Sequence, residues 1–115
     1  MKNWEGLTFD ALRRANKARC KKIYDTNVLK EWSEGDWAVA AAGEMGEICD
    51  AIKKRKRGYD KPGKPAPTKK DVADEIADTI CYLDLLACKM GIDLSEALIS
   101  KFNEVSDRFG SDIKL

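Results

Sequence analysis

Two stretches of this chain carry apolar residues at the helical step of three and four, and all three prolines lie between them. In the first, Trp37, Ala41, Met45, Ile48 and Ile52 recur at the period of one helix face. In the second, Val72, Ile76, Ile80, Leu83, Leu86 and Met90 do the same, and Ala77, Cys81, Leu85 and Ala87 widen the stripe. Pro62, Pro65 and Pro67 make the intervening segment a loop, because proline cannot continue a helix. The chain is therefore expected to fold around two long helices, over about 36–57 and 68–90.

Capping residues punctuate the rest. Thr8 can cap a first helix, with Asp10 in its first turn and Phe9, Leu12, Ala15 and Ile23 on its apolar side. Residues 25–36 read as a connection, and Ser33 or Asp36 can cap the second helix. Gly58 is a natural stop for it. Thr68-x-x-Asp71 is a capping box that opens the third helix, and Gly91 ends it. Asp93-Leu-Ser-Glu96 opens a fourth helix to about Phe109, with Ala97, Leu98, Phe102 and Val105 on its apolar side. No stretch alternates as a strand does. The expected fold is all-α, a four-helix-bundle-like single domain over residues 1–115.

Composition removes several chemistries. The chain has no histidine, which excludes Ser-His and Cys-His nucleophile systems and histidine-bearing metal sites. Cys20, Cys49, Cys81 and Cys88 form no Cys-x-x-Cys pair and read as buried, reduced thiols. Charged residues make up 36% of the chain, yet the formal net charge is only +1, so no global charge argument favours nucleic acid. A local one exists: the helix end and loop over 53–70 hold nine Lys or Arg residues against Asp60 alone. The first helix also has a basic face, through Arg13, Arg14, Lys17, Arg19, Lys21 and Lys22. No apolar run is long enough for a bilayer and the N-terminus lacks a signal-peptide core, so a cytoplasmic protein with no membrane partner is expected.

The chemistry that remains is carboxylate chemistry. Glu44-Met-Gly-Glu47 and Glu75-Ile-Ala-Asp78 each place two acids three residues apart, on one helix face. The first pair borders a core stripe and the second interrupts the most apolar helix of the chain. Four carboxylates converging without a basic neighbour repel one another unless a cation neutralises them. An all-oxygen ligand set favours Mg²⁺, with Mn²⁺ as a substitute. Gly43 and Gly46 flank Glu44, and two such helix-weakening residues suggest close approach of a neighbouring helix or a ligand. Trp32 or Trp37 offers aromatic surface for a planar ligand, and Tyr82 follows Asp78 at i+4 on the face of the acids. Lys101 and Arg108, seven residues apart on one helix face, offer cations for phosphate.

Glu44-x-x-Glu47 followed by Glu75-x-x-Asp78 resembles the signature of the MazG-like all-α nucleoside triphosphate pyrophosphatases. The surrounding Ala42-Gly-Glu-Met-Gly-Glu-Ile, Asp74-Glu-Ile-Ala-Asp-Thr-Ile-Cys-Tyr-Leu and Ile92-Asp-Leu-Ser-Glu-Ala stretches are similar to that family's helices, over about Trp32 to Gly110. The resemblance implies Mg²⁺-dependent hydrolysis of a (deoxy)nucleoside triphosphate to the monophosphate and pyrophosphate. It implies Mg²⁺ on Glu44, Glu47, Glu75 and Asp78, with Glu44, Glu47 or a metal-bound hydroxide activating the water. It places Tyr82, Lys101 and Arg108 near the phosphates or sugar, Trp32 or Trp37 against the base, and the chains in homodimers or homotetramers. Two features depart from the family. Val105 stands where some relatives carry asparagine, with Asn103 close by, and the basic loop over 53–70 is unlike compact relatives. The competing readings are a related pyrophosphohydrolase acting on phosphoribosyl-ATP, and a non-catalytic helical module binding nucleic acid or protein through that loop. With the enzyme reading preferred, nucleic acid is not an expected partner.

Overall fold

The computed structural model describes residues 6–24 and 28–115. Along them run α1 (Phe9–Tyr24), α2 (Val28–Glu31), α3 (Glu34–Arg57), β1 (Tyr59–Lys61), β2 (Lys64–Pro65), α4 (Lys69–Lys89) and α5 (Leu94–Arg108). The helix ends follow the expected caps. Ser33 and Asp36 bond each other's backbone N–H at the start of α3, and Thr68 and Asp71 repeat the arrangement at α4. Each such cap satisfies orphan donors and is worth about 1 kcal/mol. The expected connection at 25–27 lies outside the described residues.

The four expected long helices form, but they do not make a four-helix bundle. There are five helices among the described residues, because Val28–Glu31 adds a helical turn inside the expected connection. The larger departure is α5. A bundle requires every helix to bury one face against the others. No residue of α5 is buried, and it meets the rest of the chain chiefly at α1. The chain's radius of gyration, 17.3 Å, exceeds the roughly 13 Å of a compact domain this long.

The proline segment also departs from a plain loop. β1 and β2 pair antiparallel, Tyr59 opposite Pro65 and Lys61 opposite Lys64, with an irregularity in the register. Both strands are edges, so a proline within them breaks no second ladder. Gly58 at φ +91° and Gly63 at φ +82° supply the left-handed conformations that end α3 and turn the hairpin. Ion pairs fix the hairpin to α3. Lys54 reaches Asp50 at 2.7 Å and Asp60 at 2.8 Å, and Lys64 reaches Asp60 at 3.3 Å. Hydrogen bonds from the lysines hold the Asp50 and Asp60 carboxyls below their usual range, and bonds to the two acids raise Lys54. Arg57 donates to the carbonyls of Tyr59 and Asp60, and Arg55 donates to that of Pro67 at 2.9 Å.

The core lies where α1, α2 and α4 meet the start of α3. Cys20, Val28, Trp37 and Leu85 are buried there, with Leu29, Trp32, Tyr82 and Leu86 packed against them. Further along, α3 and α4 pack through small residues, with Ala41, Ala51 and Thr79 buried. Much of the expected core stripe is outside it. Met45, Ile52, Ile76, Ile80, Leu83, Met90, Leu98 and Phe102 are exposed. Both helices form with the expected period, but six of the eleven residues in their two stripes are exposed. Cys49 is exposed and Cys81 and Cys88 are half-buried, so only Cys20 among the four free thiols is a buried one.

A polar clasp joins α1 to α4. Asp84 is 0% exposed, because its carboxylate is enclosed by α1. Arg13 Nε donates to Asp84 Oδ1 at 2.9 Å, and Arg13 Nη2 donates to the carbonyl of Ile92 at 3.0 Å. Asn16 Nδ2 donates to Asp84 Oδ2 at 3.1 Å and to the carbonyl of Cys81 at 2.9 Å. This clasp sets where α1 lies along α4, and so where the α1 side chains fall relative to the acids of α3 and α4.

Candidate functional site

The seam between α3 and α4 brings acids together. Glu44, Glu75 and Asp78 each offer a carboxylate oxygen, and these oxygens lie within 4.8 Å of one another. Glu44 and Glu75 are half-buried and Asp78 is exposed. Glu44 falls on the buried arc of α3, among Trp37, Ala41, Ile48 and Ala51 at the helical spacing. Glu75 and Asp78 share one face of α4, a turn apart. The Glu75 carboxyl is raised above its ordinary value. Desolvation is the main cause, followed by a hydrogen bond with Glu44 and by the charges of Glu44, Glu47 and Asp78. The neighbouring carboxylates thus add to desolvation in disfavouring the charged form of Glu75, an effect that a cation among them would offset.

Glu47 stands apart from this trio. It is exposed, and it lines a neighbouring hollow of about 400 Å³ between α3, the hairpin and the start of α4, which Glu75 also borders. Its charge nonetheless reaches Glu75.

The donor set fits a hard divalent cation. Mg²⁺ binds oxygen at about 2.0–2.1 Å, so ligands on opposite sides of the ion stand roughly 4.2 Å apart. Adjacent ligands stand roughly 3 Å apart, so oxygens within 4.8 Å of one another would draw together by side-chain rotation to meet that geometry. Three carboxylates leave coordination positions for water or for substrate oxygens. No nitrogen or sulfur donor joins this trio among the described residues, which argues against zinc.

Beside the trio opens a cavity of about 330 Å³. Glu44 and Asp78 share its wall with Trp37, Tyr82 and Leu85, and α1 closes it with Asn16, Arg19, Cys20 and Ile23. This volume is in the range of small-molecule sites. Trp37 is only 2% exposed, with the Trp32 ring centroid at 4.5 Å and that of Tyr82 at 6.3 Å. Trp32 itself is half-buried in the adjoining core. Burial pushes the Cys20 thiol up, with Arg19 opposing and Cys88 adding to the rise, so the sulfur on this wall is protonated and unsuited to nucleophilic attack.

The α5 residues lie elsewhere. Lys101 and Arg108 are exposed, and both bond Glu104 at 3.2 Å. Asn103 is tied to the C-terminus, accepting from the Leu115 N–H at 2.8 Å. None of the three lines the cavity beside the acids. The cavity's cation is instead Arg19, and its amide is Asn16. Their signal was present in the sequence. Asn16, Arg19, Cys20 and Ile23 follow the i, i+3, i+4, i+7 step of one helix face, but the row mixes polar and apolar residues, so a search for apolar periodicity passes over it. Gly43 and Gly46 have open space beside them, and no neighbouring helix among the described residues approaches either.

No protein-family model matches the chain, and no curated protein or solved structure is significantly similar to it. No helix among the described residues is long and apolar enough to cross a membrane.

Proposed function

We propose that this chain is a Mg²⁺-dependent pyrophosphohydrolase, cleaving a (deoxy)nucleoside triphosphate to the monophosphate and pyrophosphate. One observation carries the reading: two of the three convergent carboxylates, Glu44 and Asp78, share a wall with a cavity that also offers an arginine, an amide and the Trp37 and Tyr82 side chains. Such a lining suits a ligand that is anionic and metal-binding at one end and planar at the other. The resemblance of the acidic motifs to the MazG-like pyrophosphatases supports the same chemistry.

In this reading Glu44, Glu75 and Asp78 hold the cation. When bound, it neutralises phosphate charge and makes water a better nucleophile. Glu47, next to the trio but outside it, accepts the proton of the attacking water. Arg19 contacts the phosphates, a role the sequence resemblance had suggested for Lys101 and Arg108. Tyr82 and Leu85 shape the base end, and α1 shields it from water.

The protein works as a homodimer. Ile76, Ile80, Leu83 and Met90 are exposed along one face of α4, and Leu98, Ile99 and Phe102 are exposed on α5. Exposed apolar surface of this kind marks a protein interface. A second copy would also explain the open space beside Gly43 and Gly46.

A pyrophosphate-release screen over the canonical and modified dNTPs, with Mg²⁺ or Mn²⁺, tests the reading. At least one substrate should yield stoichiometric monophosphate and pyrophosphate, and Glu75→Gln should abolish this while remaining folded. Release of orthophosphate, or no turnover of any nucleotide, defeats it.

A further inference from the structure

Trp37 cannot serve as a stacking platform. Its ring is enclosed by Trp32, Tyr82, Cys20, Val28 and Leu85, and only 2% of it is exposed. Burial of an indole normally comes with an acceptor for its N–H. Here Nε1 is buried and finds none among the described residues. The same side chain contributes to the wall of the cavity beside Glu44 and Asp78. A phenylalanine would supply the apolar bulk without leaving a donor unpaired, so the polar atom itself needs an explanation.

We infer that the Trp37 indole N–H is a specificity-determining donor, held for a hydrogen-bond acceptor on the ligand: a carbonyl oxygen or ring nitrogen of a nucleobase. The inference rests on reading this cavity as a nucleotide site. The base enters edge-on to Trp37 and receives the N–H, while the phosphates extend toward the carboxylates. A donor enclosed this way discriminates strongly. A ligand without the acceptor leaves the N–H buried and unpaired, whereas a ligand with it relieves the defect.

The test uses the full chain labelled with ¹⁵N at its indoles, with the Trp37 resonance assigned by its loss in Trp37→Phe. The four deoxynucleosides are titrated first without divalent metal, and the four deoxynucleoside monophosphates are then added with Mg²⁺. At least one base should move the Trp37 indole proton downfield in a saturable way. The shape-matched analogue of that base, with its acceptors replaced by C–F or C–H groups, should bind about tenfold more weakly. In Trp37→Phe this preference should collapse, with natural base and analogue binding alike. A purely structural tryptophan would weaken both ligands together and leave the preference intact. An indole resonance unmoved by every nucleoside and monophosphate overturns the inference, as does a base preference that survives in Trp37→Phe. Pyrophosphate release with an unmoved indole leaves the proposed reaction standing and removes only this inference. A shifted indole with no dNTP turnover does the reverse.

Discussion

Arg13→Met should destabilise the protein by about 3 kcal/mol. Asp84 is fully enclosed, and its carboxylate accepts from Arg13 Nε at 2.9 Å and Asn16 Nδ2 at 3.1 Å. Removing the arginine leaves a buried acid with one neutral donor. Breaking a buried pair this way costs roughly 3–5 kcal/mol, mostly the penalty of the charge left behind. Arg13 is 21% exposed on its side chain, so some water can reach the vacated position, which places the cost at the low end. Urea unfolding at constant m-value should show the loss, and the melting temperature should fall by roughly 10 °C for a domain of this size. The double variant Arg13→Met/Asp84→Leu should recover much of it, because the acid goes with its partner. Both proteins should be measured at several concentrations, so that dissociation of a dimer is not mistaken for unfolding. A loss under about 1 kcal/mol in the single variant, or a double variant worse than the single, would refute the claim that this clasp fixes α1 on α4.

Four further outcomes are expected. Adding Mg²⁺ should raise the melting temperature of the wild type, whereas Glu75→Gln should melt higher than the wild type without metal and gain nothing from Mg²⁺; calorimetry in EDTA and in Mg²⁺ reads both. The Asp50 and Asp60 pKa values are lowered from 3.8 on folding, so their contribution is complete above that pH and fades as pH falls through the folded values. Lys54→Met should accordingly flatten the acid limb of the stability curve and speed amide exchange in residues 59–65. Gly58→Ala should cost about 1 kcal/mol by denaturant titration, because φ is +91° there. Leu83→Glu should give a folded monomer by light scattering and circular dichroism; a dimer that persists would place the interface elsewhere.

The helices were legible because their signals are local. Capping boxes at Ser33–Asp36 and Thr68–Asp71 act over three residues, and the period of α3 and α4 is written along each segment. The meeting of Glu44 with Glu75 and Asp78 was also legible, since one strongly apolar pair of helices carried both motifs. What the sequence hid was which partner covers each face. The hairpin escaped notice because Lys54, Asp60 and Lys64 stabilise it through side-chain charge rather than alternating apolar residues. The α1 wall escaped because Asn16 and Arg13 are buried or half-buried through Asp84, a contact across 68 and 71 residues that no window detects. The placement of α5 escaped because its amphipathic pattern says that one face needs cover, not that no described residue of the helix is buried.

That exposed surface shares α4 with two of the site's acids, Glu75 and Asp78. At 100° per residue, α4 turns Asp84, Cys81 and Leu85 toward α1, and Glu75, Asp78 and Thr79 toward α3. Val72, Ile76, Ile80, Leu83 and Met90 occupy the remaining arc, about 80° wide. All three faces of α4 are therefore committed: one to the clasp, one to the acids, one to a row whose Ile76, Ile80, Leu83 and Met90 stay exposed among the described residues. The helix cannot roll to bury that row without pulling Glu75 and Asp78 away from Glu44 and breaking the bonds to Asp84. In the proposed dimer a second copy covers the row, and it will then also hold the carboxylates in register. Disrupting the row, as in Leu83→Glu, should then weaken Mg²⁺ binding even though Leu83 touches none of the carboxylates. Unchanged Mg²⁺ affinity in a folded Leu83→Glu monomer would show that the acids hold their geometry without help from that face.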